Sequence, residues 1–316
     1  MRKCLKVVGK ILLGLMAVVV LLTAVLKLYD VYKKPKEAYL RAPLGEIIEC
    51  DKGKMCIYCK GTGNKTILFL SGCGTPSPIL DFRSLYSLLD DEYRIVVIER
   101  YGYGSSDIVD GERTSEIMLE DDRNALEKAG IKAPYILCAH SLAGLEAVSW
   151  SQLYPDEVEA VVGLDMSLPN AYDNVDTDIP KAGELLISFL AGNGYLRLPP
   201  VYSQFDALNN GSLSDEEKEQ FKAVFYSVGY NKTVMRESAD LKKSIELTDQ
   251  HEKPDVPMLL FVSDDPEPSW HEAQHEYIAG RQDSRYIELD CGHYVHDHQY
   301  QRISEEMKEF INELAS

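Results

Sequence analysis

Eight short apolar segments, most of them separated by stretches with helical spacing, run through the sequence after residue 43. They are rich in Ile, Val, Leu and Phe, as strands buried inside a sheet are. The segments are 47–50, 55–59, 66–70, 94–98, 135–139, 158–164, 258–262 and 285–289. Strands that alternate with helices pair in parallel through right-handed crossovers. The sequence therefore predicts an α/β fold built on an eight-stranded, mostly parallel sheet.

Two regions depart from this alternation. The turn 51–54 joins the first two strands directly, which predicts an antiparallel hairpin. The interval between the sixth and seventh strands has helical patterns and no clear strand. These helices are expected at 182–190, 214–228 and 233–247. The interval therefore predicts a helical insertion into the sheet domain, called the cap below.

The first 36 residues differ in composition from the rest. They hold eight Lys or Arg and one acidic residue, and they include the uncharged apolar run Ile11–Leu26. Extended over residues 7–28 the run covers about 22 residues, and a helix needs ~20 to cross a bilayer. The run is apolar on all sides, and no clear cleavage signal follows Leu22. We therefore expect a retained membrane anchor rather than a buried helix or a cleaved signal peptide.

The orientation of this anchor depends on weaker signals. Lys and Arg flank both ends, so the positive-inside rule does not decide it. The short N-terminal tail is typical of a signal anchor and favours a single-pass protein of the cell membrane with its body outside the cytoplasm. The expected organisation is an anchor at 1–30, a linker at 31–43, a sheet domain at 44–166 and 256–316, and the cap at 167–255.

Charge and cysteine content restrict the partners. Residues 37–316 carry 25 basic and 50 acidic side chains, and such a surface repels phosphate backbones, so no nucleic-acid partner is expected. Cys56 and Cys59 have the spacing of half a zinc site. Because the pair lies in a predicted strand, the two side chains point to opposite faces, and no second pair of cysteines supports a metal.

Ser141 lies at a predicted strand-to-helix turn. The residues two positions away, Ala139 and Ala143, are small enough to allow a sharp turn that exposes the hydroxyl. This is the pattern of a nucleophile elbow with alanine at both glycine positions. The helix that follows supplies amide donors for an oxyanion. The motif by itself is weak, because small residues are common beside turn serines.

Two further segments are expected at the same sheet edge. After strand 66–70 the Gly-rich turn Ser71–Gly74 places the amide of Cys73 where it can join that of Leu142 in an oxyanion hole. After the last strand comes His293, which is suited to act as general base for Ser141. His296 and His298 lie close by in sequence, but no acidic or cysteine partner has chelating helical spacing, so no metal is expected.

Together these motifs and the turn Arg100–Ser106 resemble the α/β-hydrolase superfamily over residues 45–166 and 256–316. The resemblance is in particular to bacterial membrane-anchored members with a helical cap. It implies helices on both faces of the sheet and Ser-His-acid chemistry without metal or cofactor. The oxyanion turn departs from the family pattern, because it begins Ser71-Gly72 where His-Gly is usual.

The acidic member of the triad has more than one candidate. The family often has Gly-x-x-Asp after the penultimate strand, and Asp265 is the best match, although this segment has Ser at the Gly place. Asp165 ends the strand 158–164 and is the main alternative, because some members take their acid from that strand. Asp264 is a third candidate. Each would hold the His293 imidazole in the required tautomer.

The expected activity is hydrolysis of a carboxylic ester, lipid esters included, by a membrane-anchored serine hydrolase. A serine nucleophile disfavours the dehalogenase and epoxide-hydrolase chemistry of the superfamily, which uses Asp. A second hypothesis is an aminopeptidase-like hydrolase of the proline iminopeptidase type, acting on short peptides. A third is a non-catalytic, membrane-displayed binding protein that kept the fold.

Overall fold

The computed structural model describes residues 2–172, 177, 180–264 and 268–314. Its strands are β1 (Glu46–Cys50), β2 (Gly53–Lys60), β3 (Thr66–Leu70), β4 (Arg94–Glu99), β5 (Tyr135–His140), β6 (Val158–Leu164), β7 (Met258–Val262) and β8 (Arg285–Glu288). They form one eight-stranded sheet in the order β1-β2-β4-β3-β5-β6-β7-β8. The first two strands and β4 pair antiparallel, and the remaining neighbours pair in parallel. The predicted α/β sheet and its hairpin are confirmed.

The helices match the predicted ones in the sheet domain and add several short turns. They are α1 (Arg2–Lys33), α2 (Pro78–Asp81), α3 (Arg83–Tyr86), α4 (Ser115–Lys128), α5 (Ala143–Leu153), α6 (Lys181–Gly192), α7 (Pro199–Tyr202), α8 (Asp206–Asn209), α9 (Asp215–Val228), α10 (Lys232–Ala239), α11 (Leu241–Asp249), α12 (Pro268–Tyr277), α13 (Val295–His298) and α14 (Tyr300–Glu313).

Two apolar layers cover the sheet, one on each face. One layer joins sheet residues to α4 and α5 and contains the fully buried Trp150. The other joins them to α2, α3 and α14, with Phe69 and Phe82 at its centre. Because both faces are covered, the central strands are apolar along their whole length rather than alternating.

Parallel pairing brings the carboxyl ends of the central strands to one edge of the sheet. Leu70 of β3 pairs with Ala139 of β5, and His140 pairs with Leu164 of β6. The residues that follow these strands, among them Ser71, Ser141 and Asp165, therefore emerge side by side. Ligands of open α/β sheets bind at this edge.

Helices α6 to α11 fill the interval between β6 and β7, with an aromatic cluster of their own around Phe205, Phe221 and Phe225. The helix predicted at 233–247 is two helices, α10 and α11. They meet at Asp240, whose carboxylate accepts hydrogen bonds from the Arg113 amide at 2.7 Å and from Arg236 Nε at 2.8 Å. Helix α11 then packs on α4 and α5, so the end of the predicted cap contacts the helices of the sheet domain.

Helix α1 continues three residues beyond the predicted anchor and ends two residues before Pro35, so the predicted linker begins in helical conformation. The part from Lys6 to Lys33 has a mean hydropathy of 2.7 in its most apolar window, and none of that window is buried. Of the residues that the structure describes, only this helix is long and apolar enough to cross a membrane. A membrane span and a signal sequence share these properties.

Candidate active site

Ser141 occupies a sharp turn between β5 and α5. Its backbone φ is +52°, in the left-handed region that side chains rarely adopt. Its carbonyl accepts hydrogen bonds from the amides of Gly144 at 2.9 Å and Ser167 at 2.8 Å, which hold the turn in place. At Gly144 a Cβ would lie 2.3 Å from the Ser167 carbonyl oxygen, so only glycine fits there. The strained turn presents the Ser141 side chain at the sheet edge.

A continuous chain of hydrogen bonds links three of the predicted residues. The Oγ of Ser141 lies 2.9 Å from His293 Nε2, and His293 Nδ1 lies 2.6 Å from Asp165 Oδ2. With the Nδ1 proton directed at the carboxylate, Nε2 is left to accept the serine proton. The side chain of His293 is 38% exposed and that of Asp165 only 1%, so the series of hydrogen bonds runs from the protein surface into its interior.

Asp165 accepts hydrogen bonds from other donors besides His293. Its Oδ1 accepts hydrogen bonds from the Ser263 amide and from Trp270 Nε1, both at 2.9 Å, and its Oδ2 also accepts from Ser263 Oγ at 2.8 Å. Burial raises the pKa of Asp165, but the donors, His293 first, outweigh burial and bring the pKa below its ordinary value. The carboxylate therefore stays ionised beside the imidazole.

The candidates for the acidic residue have different positions. Asp165, the alternative from β6, is the one that contacts His293. Asp265, the first choice from sequence, lies outside the described residues. Asp264 is exposed, and its amide donates to the Cys291 carbonyl at 3.0 Å. Besides His293, the donors that hold Asp165 are Ser263 and Trp270, from the segment after β7 where the sequence pattern placed the acid itself.

The turn after β3 lies against the serine. At Gly72 a Cβ would come 2.8 Å from Ser141 Cβ and 3.0 Å from His140 Nδ1, so this close approach requires glycine. The next residue is Cys73. Within the described part of the chain, its amide and that of Leu142 have no hydrogen-bond acceptor. Both are therefore free to donate to a substrate oxygen.

Comparison with known proteins agrees with this architecture. The sequence profile of the Alpha/beta hydrolase family matches residues 67–306, about three quarters of the chain. The chain belongs to this family. The uncharacterized protein YbdG of Bacillus subtilis (strain 168) is 34% identical to this family member over 275 residues, which are 84% of this chain and 83% of YbdG.

Solved structures of the same fold are more distant in sequence. A mutant form of a putative epoxide hydrolase from Pseudomonas aeruginosa has a TM-score of 0.71 at 13% identity, covering 85% of this chain and 95% of that one. A serine hydrolase involved in carbazole degradation, the CarC enzyme, has a TM-score of 0.59 at 16% identity, covering 86% and 99%. These likenesses show the fold that this family member shares.

A buried ionic network lies beneath the turn Ser71–Gly74, and the sequence did not reveal it. Arg100, 1% exposed, contacts Glu146 at 2.5 Å and Glu237 of α10 at 3.3 Å, and it donates to the Ser71 carbonyl. Tyr103 donates to Glu237 at 2.6 Å and accepts from the Gly74 amide at 3.2 Å. The network ties the turn to α5 and to the cap. The sequence feature that indicates this network is Arg100, a charged residue directly after the buried strand β4.

The three clustered histidines of the sequence separate in the structure. His293 belongs to the chain with Ser141 and Asp165, His296 contacts Asp81 at 2.9 Å, and His298 contacts Asp206 at 3.3 Å. Asp81, His140 and His296 are buried, and each has one potential metal-ligating atom within 4.8 Å of the others. His296 Nε2 contacts Asp81 Oδ2 directly, while Asp81 Oδ1, His140 Nδ1 and His296 Nδ1 have no hydrogen-bond partner among the described residues.

Six cysteines are free thiols, namely Cys50, Cys56, Cys59, Cys73, Cys138 and Cys291. Cys56 is buried and Cys59 exposed, as opposite faces of β2 require. Cys73 Sγ lies 3.2 Å from Ser238 Oγ of α10, and burial raises its pKa to about 12. Its thiol is therefore a packing group beneath the cap.

Proposed function

We propose that this protein is a serine hydrolase that cleaves carboxylic esters, lipid esters among them, through an acyl-enzyme. The observation that carries the proposal is the hydrogen-bonded chain Ser141–His293–Asp165. It joins a hydroxyl on a strained turn to a buried, ionised carboxylate through an imidazole. A nucleophile, a base and a group that orients the base are the three parts that acyl transfer requires.

In the proposed reaction Ser141 Oγ attacks the carbonyl carbon while His293 Nε2 takes its proton. Asp165 holds the imidazole in the reactive tautomer and stabilises its cation. The amides of Cys73 and Leu142 stabilise the oxyanion of the tetrahedral intermediate. His293 then protonates the leaving alcohol, and a water activated by the same imidazole releases the acid from Ser141.

The nature of the nucleophile separates this proposal from the activities named for several structural relatives. Epoxide-hydrolase chemistry in this superfamily uses an aspartate nucleophile, and here the turn carries Ser141. A serine at this position supports an acyl-enzyme, and an alkyl-enzyme ester would need the carboxylate.

Aminopeptidase-like activity is the second candidate from sequence, and the structure gives it less support. A free amino end needs an unpaired carboxylate near the serine. Glu237, on the cap helix over the oxyanion turn, is already paired with Arg100 and Tyr103 and is 3% exposed. We therefore place esters ahead of peptides.

The N-terminal helix adds the proposal that the enzyme is anchored in a membrane. Helix α1 is uncharged from Ile11 to Leu26 and has no buried residue in its most apolar window, as a lipid-facing helix is expected to have none. We propose that it stays attached, as a single span of the cell membrane with the catalytic domain outside the cytoplasm.

Labelling with a fluorophosphonate probe tests the catalytic proposal. We expect wild-type protein to be labelled at Ser141, and Ser141→Ala to remain unlabelled with an unchanged melting temperature. A wild-type protein that stays unlabelled under conditions where a known serine hydrolase reacts would support the non-catalytic binding protein instead. A panel of acyl esters and aminoacyl amides, assayed with the same two proteins, then separates the two substrate classes.

A further inference from the structure

The end of the apolar helix α1 is fixed to the cap. Arg197, which is 5% exposed, contacts Asp30 at 2.8 Å and makes two hydrogen bonds to Glu37, at 2.8 and 3.1 Å. Its guanidinium also lies 4.4 Å from the ring centre of Tyr226 in α9. A buried Arg that binds two carboxylates holds them in fixed positions, so the connection between α1 and the cap is rigid. The orientation of α1 therefore fixes the orientation of the cap.

A second set of contacts places part of the cap at membrane depth. Thr23 Oγ1 lies 2.7 Å from the Tyr195 hydroxyl, and Lys27 donates to the Gly192 carbonyl. Gly194 packs directly on α1, since a Cβ there would lie 2.6 Å from the Leu26 carbonyl oxygen. At 1.5 Å per residue, Thr23 lies about 6 Å below Lys27, the first charge after the apolar run. If α1 spans a bilayer, Gly192–Tyr195 lies at its boundary.

Helix α6 ends at this boundary and presents apolar side chains outward. Leu185, Leu186 and Phe189 are 65%, 56% and 51% exposed, while Ala191 packs on the aromatic cluster of the cap. Three large apolar residues on one turn of a soluble surface cost free energy, and they mark a contact surface. Continuity with α1 identifies the partner, because lipid that surrounds α1 also reaches a helix attached beside it.

We infer that α6 is a second membrane contact, whose Leu185, Leu186 and Phe189 insert into the surface of the phospholipid bilayer that holds α1. The inference rests on the proposed anchoring and deepens the proposed function. Exposed aliphatic and aromatic residues beside a tyrosine at the boundary are the composition of helices that lie in the membrane interface.

The contact also favours a class of substrate. Ala191 of α6 packs on the aromatic cluster of the cap, and the same cluster contains Leu80 of α2, the helix that follows the oxyanion turn. A lipid-covered α6 therefore connects the bilayer with the segment next to the oxyanion turn. Such a site can take up esters that reside in the bilayer, because these esters reach it without passing through water.

The test uses full-length protein in phosphatidylcholine vesicles, with its N-terminus verified by intact mass. Phe189→Trp introduces a fluorophore on α6, and Leu153→Trp is the matched control at a half-exposed apolar site at the far end of α5. After subtraction of the parent signal from Trp150 and Trp270, we expect vesicles of brominated lipid to quench the Phe189→Trp fluorescence at least about twofold more than that of the control. Equal quenching at the two sites overturns the inference.

A rate comparison tests the substrate class. For Leu186→Ser/Phe189→Ser we expect the rate on a vesicle-embedded lipid ester, divided by the rate on a short soluble ester, to fall about tenfold, because two large apolar contacts are lost. The same ratio should be unchanged in Leu153→Ser. An unchanged ratio in the double variant overturns the substrate class. Fluorophosphonate labelling of each preparation separates this failure from failure of the catalytic proposal, in which the parent itself remains unlabelled.

Discussion

Asp165 and His293 are 128 residues apart in the sequence, yet the carboxylate and the imidazole Nδ1 lie 2.6 Å apart. The pair forms because β6 and the loop after β8 reach the same edge of the sheet. Three further hydrogen bonds, from Ser263 and Trp270, fix the carboxylate, so the histidine has one preferred orientation toward Ser141. This relationship supports the proposal that the acid comes from the strand that sequence patterns ranked second.

The first prediction concerns that role. Asp165→Asn removes the charge and allows the wrong tautomer of His293, so we expect kcat on a short ester to fall about 10⁴-fold. Matched changes are Asp264→Asn, at an exposed carboxylate, and Asp265→Asn, at the residue that the family pattern favours. Both should keep kcat within a few-fold of wild type. A larger loss in Asp265→Asn than in Asp165→Asn would transfer the role to Asp265.

The second prediction concerns the close approach of the oxyanion turn. Gly72→Ala places a methyl group within 2.8 Å of Ser141 Cβ. Because the neighbouring atoms are rigid, this close contact can be removed only if the turn itself moves. We expect kcat to fall about 10²-fold or more, since a displaced oxyanion donor has that cost. Gly292→Ala is the matched control beside His293, because its added methyl meets no atom within 4 Å. Equal activity of the two variants would contradict the assigned position of the turn.

The third prediction concerns the network under the turn. Arg100→Met leaves Glu146 and Glu237 buried without their cation, and such a loss costs about 3–5 kcal/mol of unfolding free energy. Arg285→Met, at a partly exposed arginine with two surface carboxylates, should cost less than about 1 kcal/mol. Urea denaturation of both variants measures the difference. Similar midpoints would show that the buried network does not hold the turn.

The fourth prediction concerns Asp122, a fully buried residue next to this network. Burial, and then the neighbouring Glu146 carboxylate, raise the pKa of Asp122 well above its ordinary value. The folded protein therefore keeps the proton that the unfolded chain releases above pH ~4. It follows that this group lowers the stability of the wild-type protein as the pH rises from about 4 toward the folded pKa, by about 1.4 kcal/mol for each pH unit.

Asp122→Asn imitates the protonated side chain and removes this dependence. We expect the variant to gain stability relative to wild type between pH 4 and pH 8, with the gain smallest at pH 4. Chemical denaturation at a series of pH values measures it, and Asp91→Asn at an exposed site is the control without a pH-dependent difference. A gain that is largest at pH 4 would show that the sign is wrong.

The fold could be predicted from the sequence because its strands are locally encoded. Apolar segments such as 66–70 and 258–262 are bounded by turn residues, and they coincide with β3 and β7. The helix predicted at 233–247 could not be read correctly, because Asp240 breaks it through contacts with Arg113, about 130 residues away. Long-range partners of this kind leave no periodic signal.

By itself, the sequence determined the α/β sheet, Ser141 on its strand-to-helix turn, His293 after the last strand and the apolar helix at the N-terminus. These features depend on local composition and residue spacing, which do not depend on long-range contacts. The tertiary structure decided which aspartate contacts His293, because Asp165 is selected by donors from Ser263 and Trp270 near β7. It also decided that the end of α6 lies beside α1, through the contacts of Lys27 with the Gly192 carbonyl and of Thr23 with Tyr195, residues that only packing brings together.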